Sequence, residues 1–461
     1  MTNRYLLGGT QTPTVAGTQA ITEVSTIAEL TALAAPTDAI CVQPLGYYAA
    51  GDGGGGPPRY WSAASTATHN GGSVLQPSSA PAAGRWLWDF QPEVSIRWFG
   101  AKLDGVTNDY AAIAACVSAA ESARFAVDLD AGAIIMNSGV TYNTPIPIRG
   151  RGRYATVITT TLSSGNLFEF NNASGSYDEG LVLEDFAVVG PASGSAVGIK
   201  IEGAVYPNSI IRNVLAKNFG SHGLYFDDCL TASLENVKAQ GNGGSGIVVE
   251  QSNGIVLTHC SAESNTSKGY NFLNSGSAGE RNGPCLVECH AEENGSDAVF
   301  FNQTQNARVI GGWYQVAGGV GSDLSAIYYD TCVGGSVIGA YMTTGGTTTN
   351  LRGVRLHDSQ RVRVIGNNPA DFVAGREVME TGTSPNNLLI ANRATEDDIA
   401  IDSNGTFISK AKVDVIATAS LPAAHADQDG RVVIEDAGAG DRNVIVYAGA
   451  QRFRIDGGAA F

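Results

Sequence analysis

A short unit repeats along the middle of the chain, and it constrains the fold more than any other feature. The segments Arg212-Asn-Val-Leu-Ala216, Glu235-Asn-Val-Lys-Ala239, Thr258-His-Cys-Ser-Ala262 and Val287-Glu-Cys-His-Ala291 align, their alanines 23, 23 and 29 residues apart. Val-Ile-Gly recurs at Val309, Val337 and Val364, in steps of 28 and 27. A second strand repeats in register as Gly223-Leu-Tyr-Phe-Asp227, Gly246-Ile-Val-Val-Glu250, Gly269-Tyr-Asn-Phe-Leu273, Ala298-Val-Phe-Phe-Asn302, Ala326-Ile-Tyr-Tyr-Asp330 and Gly353-Val-Arg-Leu-His357. Each unit holds two or three short alternating strands between Gly, Asn and Ser turns. A unit that small cannot bury its apolar side alone, so neighbours must stack into a continuous core. The expectation is an all-β solenoid of parallel coils.

Composition supports this where it bears on the ladder. Glycine makes up 58 of 461 residues, and charged residues are 16%. Proline is scarce inside the repeats, as sheets that use every N–H require. The hydrophobic fraction of 43% suffices for a long core, and helical periodicity is confined to residues 108–123. No apolar run approaches the ~18 residues of a membrane-spanning helix, so membrane insertion is not expected. The first ten residues, Met1 to Thr10, lack the apolar stretch of a signal peptide. The net charge of −16 disfavours nucleic acid as a partner.

Seven cysteines invite a metal or disulfide reading, with His259, Cys260, Cys285, Cys289 and His290 as the tempting cluster. The repeat register argues against it. Cys260 and Cys289 share the column of Val214 and Val237, an inward position where a thiol acts as a small hydrophobe. The odd count and the lack of a CxxC pair fit buried free thiols made in a reducing cytosol. Acidic turns such as Asp427-Gln-Asp-Gly430 resemble calcium loops only faintly. No metal or cofactor is expected.

Upstream of the repeats stands Trp98-Phe-Gly-Ala-Lys-Leu-Asp-Gly-Val-Thr-Asn-Asp109, running into Tyr110-Ala-Ala-Ile-Ala-Ala-Cys-Val-Ser-Ala-Ala-Glu121. Thr107, Asn108 and Asp109 offer capping oxygens. Ile113, Val117 and Ala120 fall on one face of a short helix able to seal an open solenoid end. The segment resembles the opening of pectate-lyase-like right-handed β-helix proteins, with Asp104 and Asp109 in structural roles. Further upstream, Gly46-Tyr-Tyr-Ala-Ala-Gly-Asp-Gly-Gly-Gly-Gly56, Tyr60-Trp61 and Gly84-Arg-Trp-Leu-Trp88 resemble the N-terminal part of phage tailspike proteins.

That resemblance implies a right-handed parallel β-helix with one short N-terminal capping helix and small β-rich regions at both ends. Residues 1–95 would form a particle-binding or capping region, with a short helix near Glu23–Leu33 capped by Ser25 or Thr26. Residues 96–375 would form the β-helix. Residues 376–461 would form an end cap, a trimerisation element or a glycan-binding module. It also implies a homotrimer in the virion, attached to a phage tail or baseplate, made in the host cytoplasm without a signal peptide. The expected substrate is a bacterial capsular, exo- or lipopolysaccharide.

Chemistry is sought in columns, because equivalent residues of successive coils lie ~4.8 Å apart. One outward column reads Lys217, Gln240, Glu263, Glu292, with His290 and Glu288 beside it. Another reads Asp227, Glu250, Leu273, Asn302, Asp330, His357. Paired carboxyls ~5–5.5 Å apart suit retaining glycoside hydrolysis and ~6.5–9.5 Å inverting, and crowding raises the pKa of one acid. Glu263, Glu292, Asp227 and Glu250 are thus the catalytic candidates. A third column sets Tyr225, Phe300, Tyr328 and Arg355 as sugar-stacking or interface residues, with Asp330 and His290 as further substrate contacts. Trp313 and Tyr341 are assigned to the core, and Asn213, Asn236, Asp228, Asn274 and Asp358 to turn ladders. Hydrolysis is the leading reaction. A lyase near Arg352–Arg363 with His357 is the alternative within enzymes, and a non-catalytic receptor-binding tail protein the alternative outside them.

Overall fold

The computed structural model describes residues 22–38, 40–79, 81–88, 91–172, 180–203, 209–273, 283–317, 323–345, 350–372, 376–390 and 392, together with the backbone of four strands between 415 and 455. Asn274, Arg281 and the turn at Asp427 lie outside these residues.

Three parallel sheets of twelve, eleven and ten strands make a β-solenoid. Each strand pairs with its equivalents one coil before and one coil after. Leu224–Asp227, for example, lies between Val197–Glu202 and Ile247–Glu250. The stacks begin at Glu93–Ser95 and continue through Val378–Thr381 and Leu388–Ile390.

The repeats seen in the sequence are the inward columns. Ile211, Leu234, Leu257, Leu286, Val309, Val337 and Val364 stack inside the twelve-stranded sheet, all fully buried. Ala216, Ala239, Ala262 and Ala291 line the eleven-stranded sheet, and Phe226, Val249, Phe272 and Phe301 the ten-stranded one. A fully buried Leu or Phe contributes roughly 1.5–3 kcal/mol, so stability accrues coil by coil. Cys260 and Cys289 are buried, their thiols donating to the carbonyls of Leu234 and Leu257. None of the seven cysteines forms a disulfide.

Corners are made by single residues with left-handed backbone. Asp185, Asn213, Asn236, His259 and Glu288, and then Gly339 and Gly366, turn the chain from the twelve- to the eleven-stranded sheet. Asp228, Gln251, Gln303, Thr331 and Asp358 do so after the ten-stranded sheet. Asn and Asp tolerate this conformation best among non-glycines. Asn236 donates to Asn213 (2.7 Å) and Asn213 to Asp185 (3.0 Å), forming the expected outer ladder. A second ladder is buried: Asn242 donates to Asn265 (2.8 Å) and Asn265 to Asn294 (2.9 Å). It satisfies backbone groups that would otherwise be orphaned inside the solenoid.

The first coil is closed by the helix Tyr110–Ala123, whose Ile113, Cys116, Val117 and Ala120 are buried. The capping differs from the expectation. Asp109 makes no side-chain cap, because its carboxylate accepts the N–H groups of Lys102 and Leu103 (2.8 and 3.2 Å) and ties down the preceding loop. Asn108 instead accepts from Tyr110 N–H (3.3 Å). Asp104 accepts from the N–H groups of Thr107 and Val106, which lower its pKa to about 2. Both aspartates are structural.

Residues Thr22–Trp88 supply a separate five-stranded sheet around Trp61, Trp86 and Leu75, with the helix Ile27–Ala32 capped by Thr26 (3.1 Å from Glu29 N–H). In its glycine-rich loop Asp52 gathers the N–H groups of Tyr47, Tyr48, Ala49 and Gly54. Trp88 packs edge-on against Trp98 and Phe99, joining this sheet to the first coil. At the other end, Val415–Ala417, Val432–Gly438, Asp441–Ala448 and Gln451–Ile455 form a four-stranded sheet.

Candidate functional site

The outer face of the ten-stranded sheet is a grid of aligned columns. Glu169, Lys200, Tyr225, Val248, Asn271, Phe300, Tyr328 and Arg355 share one. Glu202, Asp227, Glu250, Leu273, Asn302, Asp330 and His357 share the next. Alternation places these side chains outward while Leu224 and Phe226, between them, are fully buried. The columns expected from the sequence are therefore real neighbours, although Val248 is 2% exposed, covered at the centre of the grid.

Chemistry gathers in the first coils of this face. Asp227 and Glu250 are opposite each other on adjacent strands, with Glu202 one strand earlier. The Tyr225 hydroxyl donates to Glu250 Oε2 (2.6 Å). Lys200 Nζ bonds Glu202 (2.6 Å), lies 4.0 Å from Glu169 and sits over the Tyr225 ring at 5.7 Å. His222 flanks Tyr225 (ring centroids 5.9 Å), and its Nδ1 accepts Ser245 N–H (3.0 Å), which leaves a proton on Nε2 of the neutral ring.

These surroundings perturb Asp227. Partial burial, and then the charges of Glu250 and Glu202, raise the Asp227 pKa above the ordinary carboxylate value, with Lys200 opposing. Burial and the neighbouring carboxylates raise Tyr225 further from ionisation. Burial lowers His222. Burial alone would lower Lys200, but Glu202, Glu169 and Asp227 leave it raised and cationic. The arrangement offers a carboxylic acid whose protonated form is favoured beside a carboxylate that receives a hydrogen bond. Paired acids divide their roles in this way.

Lys200, Glu202 and His222 were not found by sequence reasoning. A signal existed: Gly198-Ile-Lys-Ile-Glu202 is one further copy of Gly223-Leu-Tyr-Phe-Asp227, 25 residues earlier. Its step of 25 residues departs from the 23 that separate Gly223 from Gly246, which masks the copy in a fixed-period alignment.

The later coils of the same face are aromatic and cationic. Phe300 and Tyr328 are 5.1 Å apart, Lys268 Nζ lies over Phe300 at 4.7 Å, and the Arg355 guanidinium covers Tyr328 at 4.5 Å. Arg355 and Arg352 both bind Asp323, the former at 3.2 Å. Asp330 accepts from Asn302 (3.1 Å), and His357 is engaged by Thr381 (3.0 Å) and Asp358 (3.4 Å).

Glu263 and Glu292 are also in register, but on the eleven-stranded sheet, a different face. Lys238 bonds Glu263, and His290 meets Glu292 at 3.1 Å. The four proposed catalytic acids therefore make two pairs on two faces, not one constellation. Trp313 and Tyr341 correct the expectation of core packing. They continue the outward column of His290, with Trp313 edge-on to His290 (4.6 Å) and Tyr341 40% exposed. The inward neighbours are Tyr314 and Met342. Gly311 and Gly312 stand at the corner positions of Glu288 and Cys289, so Trp313 keeps the outward register of His290 and Tyr341 follows it.

Comparison with known proteins bears on the architecture. Residues 23–90 match the family model of a phage tail protein small four-stranded beta-sheet domain, and residues 120–282 that of a right-handed beta-helix region. No curated protein sequence matches the chain. The structure resembles the gene product 42 tailspike of Acinetobacter phage vb_AbaP_AS12 (TM-score 0.61, 14% identity, 96% of this chain and 91% of that one). It also resembles the enzymatically active domain of tailspike protein 2 from bacteriophage CBA120 (TM-score 0.55, 16% identity, 80% and 53%). The A-module of a mannuronan C-5 epimerase from Azotobacter vinelandii aligns as well (TM-score 0.54, 20% identity, 65% and 85%). At these identities the likeness establishes the right-handed parallel β-helix and leaves the chemistry to the residues.

Proposed function

We propose that this chain, a phage-tail β-sheet domain joined to a right-handed parallel β-helix of tailspike architecture, binds a bacterial surface polysaccharide along the outer face of its ten-stranded sheet and cleaves it there by glycoside hydrolysis. The observation that carries this reading is the pairing of Asp227, its pKa raised, with Glu250, which accepts the Tyr225 hydrogen bond. Asp227 serves as general acid and protonates the leaving glycosidic oxygen. Glu250 serves as the opposing carboxylate. In-register residues on adjacent parallel strands are spaced ~4.8 Å, which favours the close pair of a retaining enzyme over the wider pair of an inverting one. The other two aligned acids, Glu263 and Glu292, form a secondary pair in this scheme. Phe300, Tyr328, Arg355 and Asp330 extend the binding face along the later coils.

β-Elimination on a uronate polymer is the second reading, favoured by Lys200 and His222 beside Tyr225. It is the weaker one, because the base it needs is handicapped: Tyr225 is held protonated and donates to Glu250. The alternative centred on His357 is weaker still, since Arg352 and Arg355 share Asp323. Tail attachment belongs to residues 23–90, and the reading includes assembly of several copies. Mass spectrometry of products from a panel of capsular and exopolysaccharides tests it. Oligosaccharides carrying an added water are expected. Products lighter by one water would replace hydrolysis with elimination, and intact polymer with retained binding would make the chain an adhesin.

A further inference from the structure

The outer face of the eleven-stranded sheet carries a pattern of its own. In three successive coils an outward ring is followed, two residues on, by a hydrogen-bonding side chain: His290 and Glu292, Trp313 and Gln315, Tyr341 and Thr343. The residues between them, Ala291, Tyr314 and Met342, are fully buried. Stacking sets the rings in one column at steps of ~4.8 Å. Alternation sets the polar groups in a second column beside it. Thr343 itself is covered, and it donates to the carboxylate of the exposed Asp371 (3.1 Å), which takes its place at the surface.

Contacts within the chain fix these groups in advance. Trp313 stands edge-on to His290 (4.6 Å), and His290 Nε2 meets Glu292 Oε2 at 3.1 Å. The Trp313 Nε1 is covered, so the indole offers outward a ring and not its N–H. Gln315 Oε1 accepts the backbone N–H of Glu293 (3.2 Å), which leaves the amide N–H groups without a partner among the described residues. One coil before His290, Lys238 bonds Glu263, so neither of the two aligned glutamates stands alone. Most of a chain of net −16 repels an anionic polymer, but this strip admits one. Rings beside amides and carboxylates fit a sugar chain, whose C–H groups pack on a ring while its hydroxyls bond the polar neighbour. A protein partner would have to desolvate Glu292, Gln315 and Asp371 to reach the same rings, which costs free energy at each unpaired group.

We infer that the column His290, Trp313, Tyr341 is a second glycan-binding strip, non-catalytic and separate from the acid pair, for a neutral or acidic polysaccharide lying along the solenoid axis. It begins two coils beyond Glu250 and ends four coils beyond it, on the neighbouring sheet. That places it about 10–19 Å along the axis from the cutting residues. A polymer held on the strip remains tethered after each cut, which keeps uncut chain at high local concentration near Asp227 and Glu250. Short oligosaccharides cannot reach both faces and gain nothing from it. The inference rests on the glycan-binding part of the proposed function and is independent of hydrolysis.

Affinity electrophoresis of the full chain through gels cast with single capsular or exopolysaccharides tests the inference. Asp227→Asn is the background, so that the polymer stays intact, and the polysaccharide that most retards it is the probe. Trp313→Ala and Tyr341→Ala should each weaken retention about tenfold, and Trp313→Phe should keep most of it. In the otherwise wild-type chain, Tyr341→Ala should raise KM for the polymer about tenfold. It should leave kcat, the melting temperature and the cleavage of short oligosaccharides unchanged. Retention unchanged in both alanine variants but lost in Tyr225→Ala would put all binding on the ten-stranded face and overturn the strip alone. A changed sedimenting mass in Tyr341→Ala would assign the ring to a protein contact and also overturn it. No retention of the background by any polysaccharide would overturn the strip together with the glycan reading of the whole chain.

Discussion

The coils around Asp227 and those around Tyr341 have the same interior and opposite exteriors. Inside, Leu234 and Phe226 of the earlier coils are matched by Val337 and Tyr329 of the later ones, all fully buried. Outside, the earlier coils carry acids, a lysine, a histidine and polar corners, while the later ones carry isoleucines, ring–cation stacks and glycine corners. A solenoid separates the two demands in a way a globular core does not. Alternation along each strand assigns half the positions to stability and frees the other half for interaction.

The sharpest way to break this comparison is to remove the outward acids. Asp227→Asn and Glu250→Gln should each lower polysaccharide cleavage by roughly 10²–10⁴-fold, measured as reducing ends released, while Glu263→Gln stays within a few-fold. Equal loss in all three would return the chemistry to both faces. Removing inward residues should erase the distinction instead. Leu234→Ala and Leu356→Ala, one in each half and both fully buried, should each destabilise by about 2–5 kcal/mol in denaturant unfolding. A large gap between them would mean that the halves differ in core as well as in surface. Asn265→Ala breaks the buried ladder at its middle rung. It should cost about 1–3 kcal/mol through the backbone N–H of Asn242, left without its acceptor.

The smallest effect is a gain. The folded-state pKa of Asp227 is raised, so its protonated form is favoured in the native chain. Its effect on stability is nil below the ordinary aspartate value, and it becomes destabilising as pH rises through the folded value. Asp227→Asn should thus melt slightly higher than wild type at neutral pH, with the difference vanishing in acid. The same shift sets the basic limb of the activity profile, which Glu250→Asp would retain and Glu250→Gln, lacking the charge, would move to lower pH.

Most of the fold was legible because its information is periodic. The alanines from Ala216 to Ala291 and the Val-Ile-Gly triplets fix coil length, and coil length fixes which residues become neighbours. The column Asp227–Glu250 followed directly. What escaped lay in how the corners align. Gly311 and Gly312 take the places of Glu288 and Cys289, which sets Trp313, and Tyr341 after it, in the outward column of His290. The helix start at Tyr110 took Asn108 as its cap because a loop had already claimed Asp109. The candidate site was legible as a pair of acids but not as a microenvironment. The raised pKa of Asp227 comes from its partial burial and from the charges of Glu250 and Glu202 across coils, surroundings that no short motif displays.

The asparagine ladder has a mechanical consequence. The hydrogen bonds of all three sheets point along the solenoid axis, and Asn242, Asn265 and Asn294 add side-chain bonds in that same direction. A load applied end-on is therefore carried by every ladder at once and compresses bonds along their lengths. A sideways load must open one sheet while closing another. The molecule is built as a strut, stiff under thrust along the line that joins its tail domain to its far end.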